Sequence, residues 1–211
     1  AGRLRDVIED SGLSASEDVT LGYSPETVLP GNTLTELREN DRIVGTVGGR
    51  PTDRLVALYE SFVSGDIRTA DATTAEFVKL IQNAYRDTNI AFANEVAKLA
   101  HEFGIDSREA IAMANEHPRV EILRPGPGVG GHCIPIDPLF LNHDNDIPML
   151  IETARRVNDE MPEFVAELLS AALDSLEGTR VALLGVAYKG GVSDVRETPS
   201  FVIAEELSER G

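Results

Sequence analysis

A long, uninterrupted helical period occupies the middle of this 211-residue sequence. With Thr73 or Thr74 as a plausible cap, about 27 residues keep apolar side chains at helical spacing until Gly104 ends the pattern. Helical patterns of more than about 25 residues are typical of helices that pack against another chain or another repeat. We therefore expect a homodimer through this helix, although periodicity alone does not separate its partner face from its core face.

Shorter patterns surround the long helix. Before the long helix they are a helix ending at Gly12, strands over 19–23 and 41–49, and a helix over 50–63. After it they are a helix stopped by Pro118, a helix over 149–178 kinked at Pro162, a buried strand from Thr179, and a final helix. This order predicts an α/β fold class, with the tail of one α/β domain, a helical middle and the opening βα unit of a second α/β domain. Both ends of the sequence lie in helical patterns, so we expect an internal segment of a longer protein.

The composition limits the classes of partner. Acidic residues number 36 against 19 basic ones, a formal net charge of −17, so neither nucleic acid nor an anionic membrane surface is the expected partner. One cysteine excludes a disulfide framework, and no apolar run approaches the roughly 20 residues of a spanning helix. Because no signal-peptide pattern is present, we expect a cytoplasmic protein.

Lysine is scarce, since the 19 basic residues comprise three lysines and 16 arginines. An acid-rich, lysine-poor surface favours a protein that works in high salt, where self-repulsion is screened. An ordinary acidic protein of a mesophile is the alternative.

Residues 125–138 contain four prolines and four glycines, which no regular element accommodates. Gly126, Gly128 and Gly131 match a GxGxxG pattern, but a dinucleotide fingerprint needs a strand before it and a helix after it. Here proline precedes the glycines and Cys-Ile-Pro follows them. We interpret the segment as a loop whose glycines let a ligand or main chain approach closely, and which presents Cys133 in a solvent-reachable pocket.

Cys133 is the candidate nucleophile because it lies on this loop, whereas a cysteine on a periodic apolar face is usually inert. His132 precedes it, and Asp137 follows in a proline-restricted segment. A metal site made of His132, Cys133 and His143 is the alternative, which is disfavoured because adjacent His and Cys side chains do not easily chelate together.

On the long helix, Lys79 and Asn83 are i,i+4 neighbours that share a face. A lysine beside an asparagine can stabilise a developing oxyanion and hold a water, and a solvated polar face is the alternative. Glu26, in Ser-Pro-Glu after the first strand, has the position of a general base or of an ordinary surface glutamate.

A charged cluster follows the last predicted strand. Lys189 and Arg196 lie where the strand ends of an α/β domain bind anionic ligands such as phosphates. A salt-bridged turn that includes Asp194 and Glu197 is the alternative.

Five stretches together resemble the UDP-glucose/GDP-mannose dehydrogenase family. They are YSPETVLPGNT, AEFVKLIQNAYRDTNIAFANE, HPRVEILRPGPGVGGHCIPIDP, ARRVNDEMP and GVAYKGGVSDVRETPS, in the family's order across essentially the whole chain. The combination of GPGVGGHC with RDTNIAFANE is specific. His132 stands where other branches have serine, which makes the sequence most similar to the branch that oxidises UDP-N-acetyl-D-mannosamine.

The resemblance implies a four-electron oxidation at C6 of a UDP-sugar to a uronate, with two NAD as the cofactor, in surface glycan synthesis. By position, Cys133 would attack the C6 aldehyde, giving a thiohemiacetal and then a thioester, while Lys79 and Asn83 would stabilise oxyanions or position water. Asp137 would act as a base or hold water, and Glu26 would handle water for thioester hydrolysis. The implied substrate-binding residues are Gly130, Gly131, His132, Lys189, Arg196 and Arg119, the last reaching across the dimer, and Lys189 and Arg196 are also candidate cofactor contacts.

The resemblance further implies three domains. Residues 1–67 would be the C-terminal part of a Rossmann-like NAD-binding domain, 68–177 a central helical dimerisation domain, and 178–211 the start of a Rossmann-like UDP-sugar-binding domain. The family's strand–GxGxxG–helix unit and catalytic threonine have no counterpart here, so we expect this segment alone to be inactive. Pro30 replaces a second glutamate of some branches. UDP-glucose or another UDP-hexose as substrate, and a non-catalytic helical dimerisation module, are the alternatives.

Overall fold

The computed structural model describes residues 2–15, 17–28, 31–143, 147, 149–173 and 175–211, so Pro30 lies outside the described residues. The chain divides into two compact units, Ala1–Ile81 and Gln82–Gly211, with the boundary inside the long helix. The domain boundaries at 67/68 and 177/178 stay predictions.

The first unit is built around a small sheet. Its elements are α1 (Gly2–Asp10), β1 (Gly22–Tyr23), α2 (Thr33–Glu39), β2 (Arg42–Thr46), a 3-10 turn (Val47–Gly49), α3 (Asp53–Glu60) and β3 (Ile67–Asp71). The central strand β2 pairs antiparallel with β1 and parallel with β3, and its Val44 is fully buried. Because β3 leads directly into the long helix, the sheet fixes the point at which that helix begins.

Two strand predictions need correction. The strand predicted over 19–23 is only Gly22–Tyr23, and the sequence analysis missed β3. β3 is an edge strand of mostly exposed, polar side chains, so it lacks the alternation of apolar residues that identifies a half-buried strand.

The predicted long helix is confirmed. It is α4 (Ala72–Glu102), which at 31 residues is longer than predicted. Asp71, not Thr73 or Thr74, caps it. Its Oδ1 accepts the Thr74 N–H at 2.9 Å and its Oδ2 the Thr74 hydroxyl at 2.5 Å. These hydrogen bonds from Thr74 hold the pKa of Asp71 below its usual value. Gly104, with a φ of 66°, follows the helix in the left-handed region that glycine adopts most easily.

The second unit is helical. After α4 come α5 (Ser107–Ala114), α6 (Asp137–Asn142), α7 (Met149–Asp159), α8 (Met161–Ala172) and α9 (Pro199–Glu209). Helices α8 and α9 share an apolar cluster that includes Ala166, Ile203 and Leu207. The predicted kink at Pro162 is confirmed as a break between α7 and α8, because proline has no N–H to donate to the Asn158 carbonyl.

The buried strand predicted from Thr179 is wrong for this structure. Residues 179–186 form no strand within the described part of the chain. All eight residues are exposed, and Leu184 is 96% exposed. A strand needs a neighbouring strand to pair its backbone groups, and the described residues provide none. Of the predicted βα unit, only the helix α9 is formed.

Within the described ranges, no helix combines the length and the apolar character that crossing a membrane requires.

Candidate active site

Cys133 lies on an exposed turn immediately before α6. Its carbonyl accepts the N–H of Ile136 at 3.1 Å and of Asp137 at 2.8 Å. The turn is therefore closed by its own backbone, which keeps Cys133 and Asp137 together and leaves the thiol open to solvent, as the glycine-rich sequence predicts.

Helix α4 contacts this turn through Asn83. The Asn83 side-chain nitrogen donates a short hydrogen bond to Oδ2 of Asp137. Asn83 is 8% exposed, so this bond is formed largely out of water. The structure thus brings together three of the predicted catalytic residues, Cys133, Asp137 and Asn83.

The glycines of the loop face main chain and side chains of the same unit. A Cβ at Gly130 would lie 2.4 Å from the Glu197 carbonyl oxygen and 2.7 Å from the Tyr188 Cβ. Gly131, with a φ of 92°, lies under the Tyr188 ring, and its N–H donates to the Arg196 carbonyl at 2.9 Å. Of the two interpretations of these glycines, close approach of main chain is observed. A substrate contact at Gly130 and Gly131 stays a prediction.

Arg196 and Asp194 form the salt-bridged turn that the sequence offered as an alternative. Arg196 Nη2 lies 2.6 Å from Asp194 Oδ2, and the Arg196 N–H donates to Asp194 Oδ1 at 3.0 Å. The Arg196 side-chain hydrogen bond is the main cause that lowers the pKa of Asp194 to about 2. The pKa of Arg196 is raised, first by Asp194 and more weakly by Tyr188 and Cys133. The guanidinium is therefore within electrostatic range of the Cys133 thiol, and His132 is within range of Asp194.

The backbone is strained beside this ion pair. Glu197 has a φ of 48°, an uncommon conformation for a residue with a side chain, and its carbonyl is the one that abuts Gly130. The strain and the close packing occur at the same place, where the loop meets the Arg196 segment.

The other predicted site residues are less constrained. Lys79 is half-buried one turn before Asn83 on α4 and forms no hydrogen bond or ion pair with a described residue. Arg119 and Lys189 are exposed, and neither side chain bonds to the Cys133 turn within the described ranges. The backbone N–H of Arg119 donates to His117 Nδ1 at 3.3 Å.

Glu26 lies in the first unit and is largely exposed. Partial burial raises its pKa, but hydrogen bonds from the N–H groups of Val28 and Thr27, together with Arg42, outweigh it and leave the pKa below its usual value. The two N–H groups lie 2.8 and 2.7 Å from Glu26 Oε1. A carboxylate with a lowered pKa is a weaker base, which disfavours the general-base role that the sequence offers for Glu26.

The sequence analysis missed the buried residues behind the loop. Asn94 on α4 accepts the Gly126 N–H and donates to Asn158 on α7. Asp87, also on α4, accepts from Asn158 and from Arg155. Burial raises the pKa of Asp87, and Arg155 and Asn158 oppose that effect. Their only signal in the sequence is that Asp87 and Asn94 share a helix face with Asn83.

No three His, Cys, Asp or Glu side chains are grouped to hold a metal ion in the part of the chain that the structure describes.

The chain is similar in sequence to known nucleotide-sugar dehydrogenases. Residues 73–160 match the central domain of the UDP-glucose/GDP-mannose dehydrogenase family. The UDP-N-acetyl-D-mannosamine dehydrogenase of Methanocaldococcus jannaschii is 50% identical over 199 residues, which are 94% of this chain and 46% of that protein. The NDP-N-acetyl-D-galactosaminuronic acid dehydrogenase of Ralstonia solanacearum is 44% identical over 196 residues, 92% of this chain and 46% of that protein.

A solved structure is also similar. The UDP-D-ManNAc dehydrogenase from Pyrococcus horikoshii superposes with a TM-score of 0.92 at 43% identity, covering 99% of this chain and 51% of that one. The predicted α/β fold class, with a helical middle that contains one long helix, is confirmed. The chain spans about half the length of the relatives it matches.

Proposed function

Because the chain belongs to the UDP-glucose/GDP-mannose dehydrogenase family, we propose that it is part of an NAD-dependent nucleotide-sugar 6-dehydrogenase. The proposed substrate is UDP-N-acetyl-D-mannosamine, oxidised by four electrons at C6 to the uronate for surface glycan synthesis. The observation that carries the proposal is the exposed Cys133 turn with Asn83 hydrogen-bonded to Asp137 beside it. The names of the relatives from M. jannaschii and P. horikoshii support the substrate.

The described residues do not fit NAD itself. The formal GxGxxG of Gly126, Gly128 and Gly131 has no strand before it, and the space that a pyrophosphate would need at Gly130 is filled by Glu197 and Tyr188. Lys189 and Arg196 alone do not make a dinucleotide site, because no strand–glycine turn–helix unit accompanies them within the described residues. We therefore assign the NAD site to the half of the relatives' length that this chain does not span.

This chain's own residues supply the covalent chemistry. The thiolate of Cys133 adds to the C6 aldehyde carbon and forms a thiohemiacetal, whose oxyanion Lys79 and the Asn83 amide stabilise. NAD, bound outside this chain, would accept the hydride of that adduct. Water then attacks the resulting thioester, and the C–S bond breaks to release the uronate and the thiolate. Asp137, held by Asn83, takes the proton of the attacking water. A role of Glu26 in handling water is implied by the family resemblance alone. We propose that four residues bind the sugar nucleotide, namely His132, Arg119, Lys189 and Arg196.

A homodimer through α4 is part of the proposal. Tyr85, Phe92 and Leu99 are seven residues apart along this helix and are 70%, 54% and 52% exposed. Apolar side chains at this spacing form one stripe, which in a soluble protein marks an interaction surface. The same stripe also supports the second candidate, a non-catalytic dimerisation module. We further propose a cytoplasmic location, consistent with a single, unpaired cysteine.

The test uses the complete protein that contains this chain, incubated with UDP-N-acetyl-D-mannosamine and NAD. Formation of two NADH per uronate, lost in Cys133→Ala, is the expected result. Faster turnover of UDP-N-acetyl-D-galactosamine or UDP-glucose would identify that sugar nucleotide as the substrate and leave the proposed reaction unchanged. A folded dimer that forms no NADH with any of these sugars would overturn the enzyme proposal in favour of the dimerisation module.

A further inference from the structure

A buried chain of hydrogen bonds connects the glycine loop to an ion pair between α4 and α7. Asn94 Oδ1 accepts the Gly126 N–H at 2.8 Å, and Asn94 Nδ2 donates to Asn158 Oδ1 at 2.8 Å. Asn158 Nδ2 donates to Asp87 Oδ1 at 2.8 Å and to the Asp87 carbonyl at 3.0 Å. Arg155 Nη1 donates to the same Asp87 oxygen. Asp87, Asn94 and Asn158, which we call the relay, are each at most 1% exposed.

The ion pair sets the direction of every hydrogen bond in the relay. An ionised Asp87 only accepts, so Asn158 must turn its NH₂ group toward it and its oxygen toward Asn94. Asn94 must then donate to Asn158, which leaves its oxygen for the Gly126 N–H. A flip of either amide would bring two donors or two acceptors together in a dry interior, at a cost of about 1–3 kcal/mol for each unsatisfied group.

The other end of the loop is held by the same face of α4. Asn83, Asp87 and Asn94 stand at i, i+4 and i+11, which places them on one narrow strip of the helix. Asn83 bonds to Asp137, eleven residues after Gly126. The segment 126–137, which contains Cys133, is thus fastened to a single helix at both ends, at points about 16 Å apart along its axis.

Stability alone does not account for the relay. A buried ion pair is often no more stabilising than apolar side chains of similar volume. Asp87 Oδ2 is buried and has no hydrogen-bond partner among the described residues, which is a cost that an apolar replacement would avoid. Unlike apolar side chains, the relay provides a hydrogen-bond acceptor that is oriented toward the Gly126 N–H.

We propose that Asp87, Asn94 and Asn158 are positioning residues that fix the start of the Cys133 loop on α4, so that Cys133 stays in register with Asn83 and Asp137. None of the three reaches the substrate, and they act through the loop. The inference rests on the proposed role of Cys133 as the nucleophile.

The test measures the reactivity of Cys133 toward iodoacetamide in the complete protein that contains this chain, followed by mass spectrometry of the peptide that carries Cys133, under conditions where circular dichroism shows each variant fully folded. Asn94→Ala removes the acceptor of the Gly126 N–H. The matched control, Asn89→Ala, removes an amide of the same helix whose nitrogen donates to the Tyr85 carbonyl at 2.7 Å. We expect Asn94→Ala to slow alkylation by about twofold to tenfold, the net worth of one hydrogen bond, and Asn89→Ala to leave the rate unchanged.

A purely structural role for Asn94 predicts equal alkylation rates in the folded variants, and that result overturns the proposal. If Asn94→Ala does not fold, amide exchange in the unsubstituted chain decides. A Gly126 N–H that exchanges as slowly as the amides of α4 supports the relay, and one that exchanges like an unprotected loop amide overturns it. Failure of the proposed function has a different signature, since Cys133 would then react in the unsubstituted chain at the rate of a free thiol, and the positioning role would fall with it.

Discussion

Asn83 on the long helix and Asp137 at the start of α6 are 54 residues apart in sequence and joined by a side-chain hydrogen bond. The bond orients the Asp137 carboxylate beside the turn that carries Cys133, and it places the amide of Asn83 at the same point. In the proposed mechanism Asp137 is the base and Asn83 is the oxyanion donor, and this one hydrogen bond keeps the two side chains together.

The first prediction concerns Asp137. In the complete protein, Asp137→Asn removes the group that accepts a proton from water, so we expect kcat to fall by about 10²–10⁴-fold, the usual contribution of general base catalysis. Steady-state NADH formation measures it. The control is Asp106→Asn, because Asp106 caps α5 and asparagine caps a helix equally well. Equal kcat values in the two variants would remove Asp137 from the mechanism.

The second prediction compares two adjacent arginines of α7. Arg155 pairs with the buried Asp87, whereas Arg156 is 70% exposed. Arg155→Ala leaves an uncompensated buried charge, so we expect the free energy of unfolding to fall by about 3–5 kcal/mol. Arg156→Ala should change it by less than about 1 kcal/mol. Urea unfolding of both variants measures the difference, and equal losses would contradict the burial of the Asp87–Arg155 pair.

The third prediction is a titration. The pKa of Asp194 is about 2 in the folded chain, because Arg196 donates hydrogen bonds to it. A depressed folded-state pKa stabilises the fold above the ordinary value of about 3.9, and this contribution is lost as the pH falls toward 2. Carboxyl carbon NMR should show the low midpoint, and Arg196→Ala should return it to the ordinary range. Arg210→Ala, which removes a pair between Arg210 and Glu206, is the control and should leave it unchanged.

The fourth prediction concerns the apolar stripe on α4. Phe92→Asp places a charge in the centre of the proposed dimer contact, so we expect the dimer dissociation constant to rise by about 30-fold or more, as at an interface hot spot. Met113→Asp, at a similarly exposed apolar side chain on α5, is the control. Sedimentation velocity measures both. A Phe92→Asp chain that dimerises like the control would place the interface elsewhere.

The elements that could be predicted are those with a local signal. The period of α4 is visible because its apolar residues repeat over many turns, and the break before α8 because Pro162 lacks an N–H. The exposed Cys133 turn could be predicted because proline and glycine exclude regular structure around it.

The features that could not be predicted depend on distant partners. Asn94 looks like any polar residue of a helix until Asn158, 64 residues later, folds against it. The apolar run after Thr179 has the composition of a buried strand, but composition does not provide a strand to pair with it. In the same way, the sequence left open whether Arg196 binds phosphate or forms a salt bridge, and only the position of Asp194 shows the salt bridge.

The packing at Gly130 affects how mutational data on this loop should be interpreted. Any side chain at this position collides with the Glu197 carbonyl and with Tyr188 before it reaches solvent. A substitution there would push away the segment that carries Arg196, whether or not a sugar nucleotide binds nearby. Loss of activity at Gly130 would therefore be expected from the apo fold alone, and it identifies a ligand contact only when the Arg196 segment is shown to have kept its place.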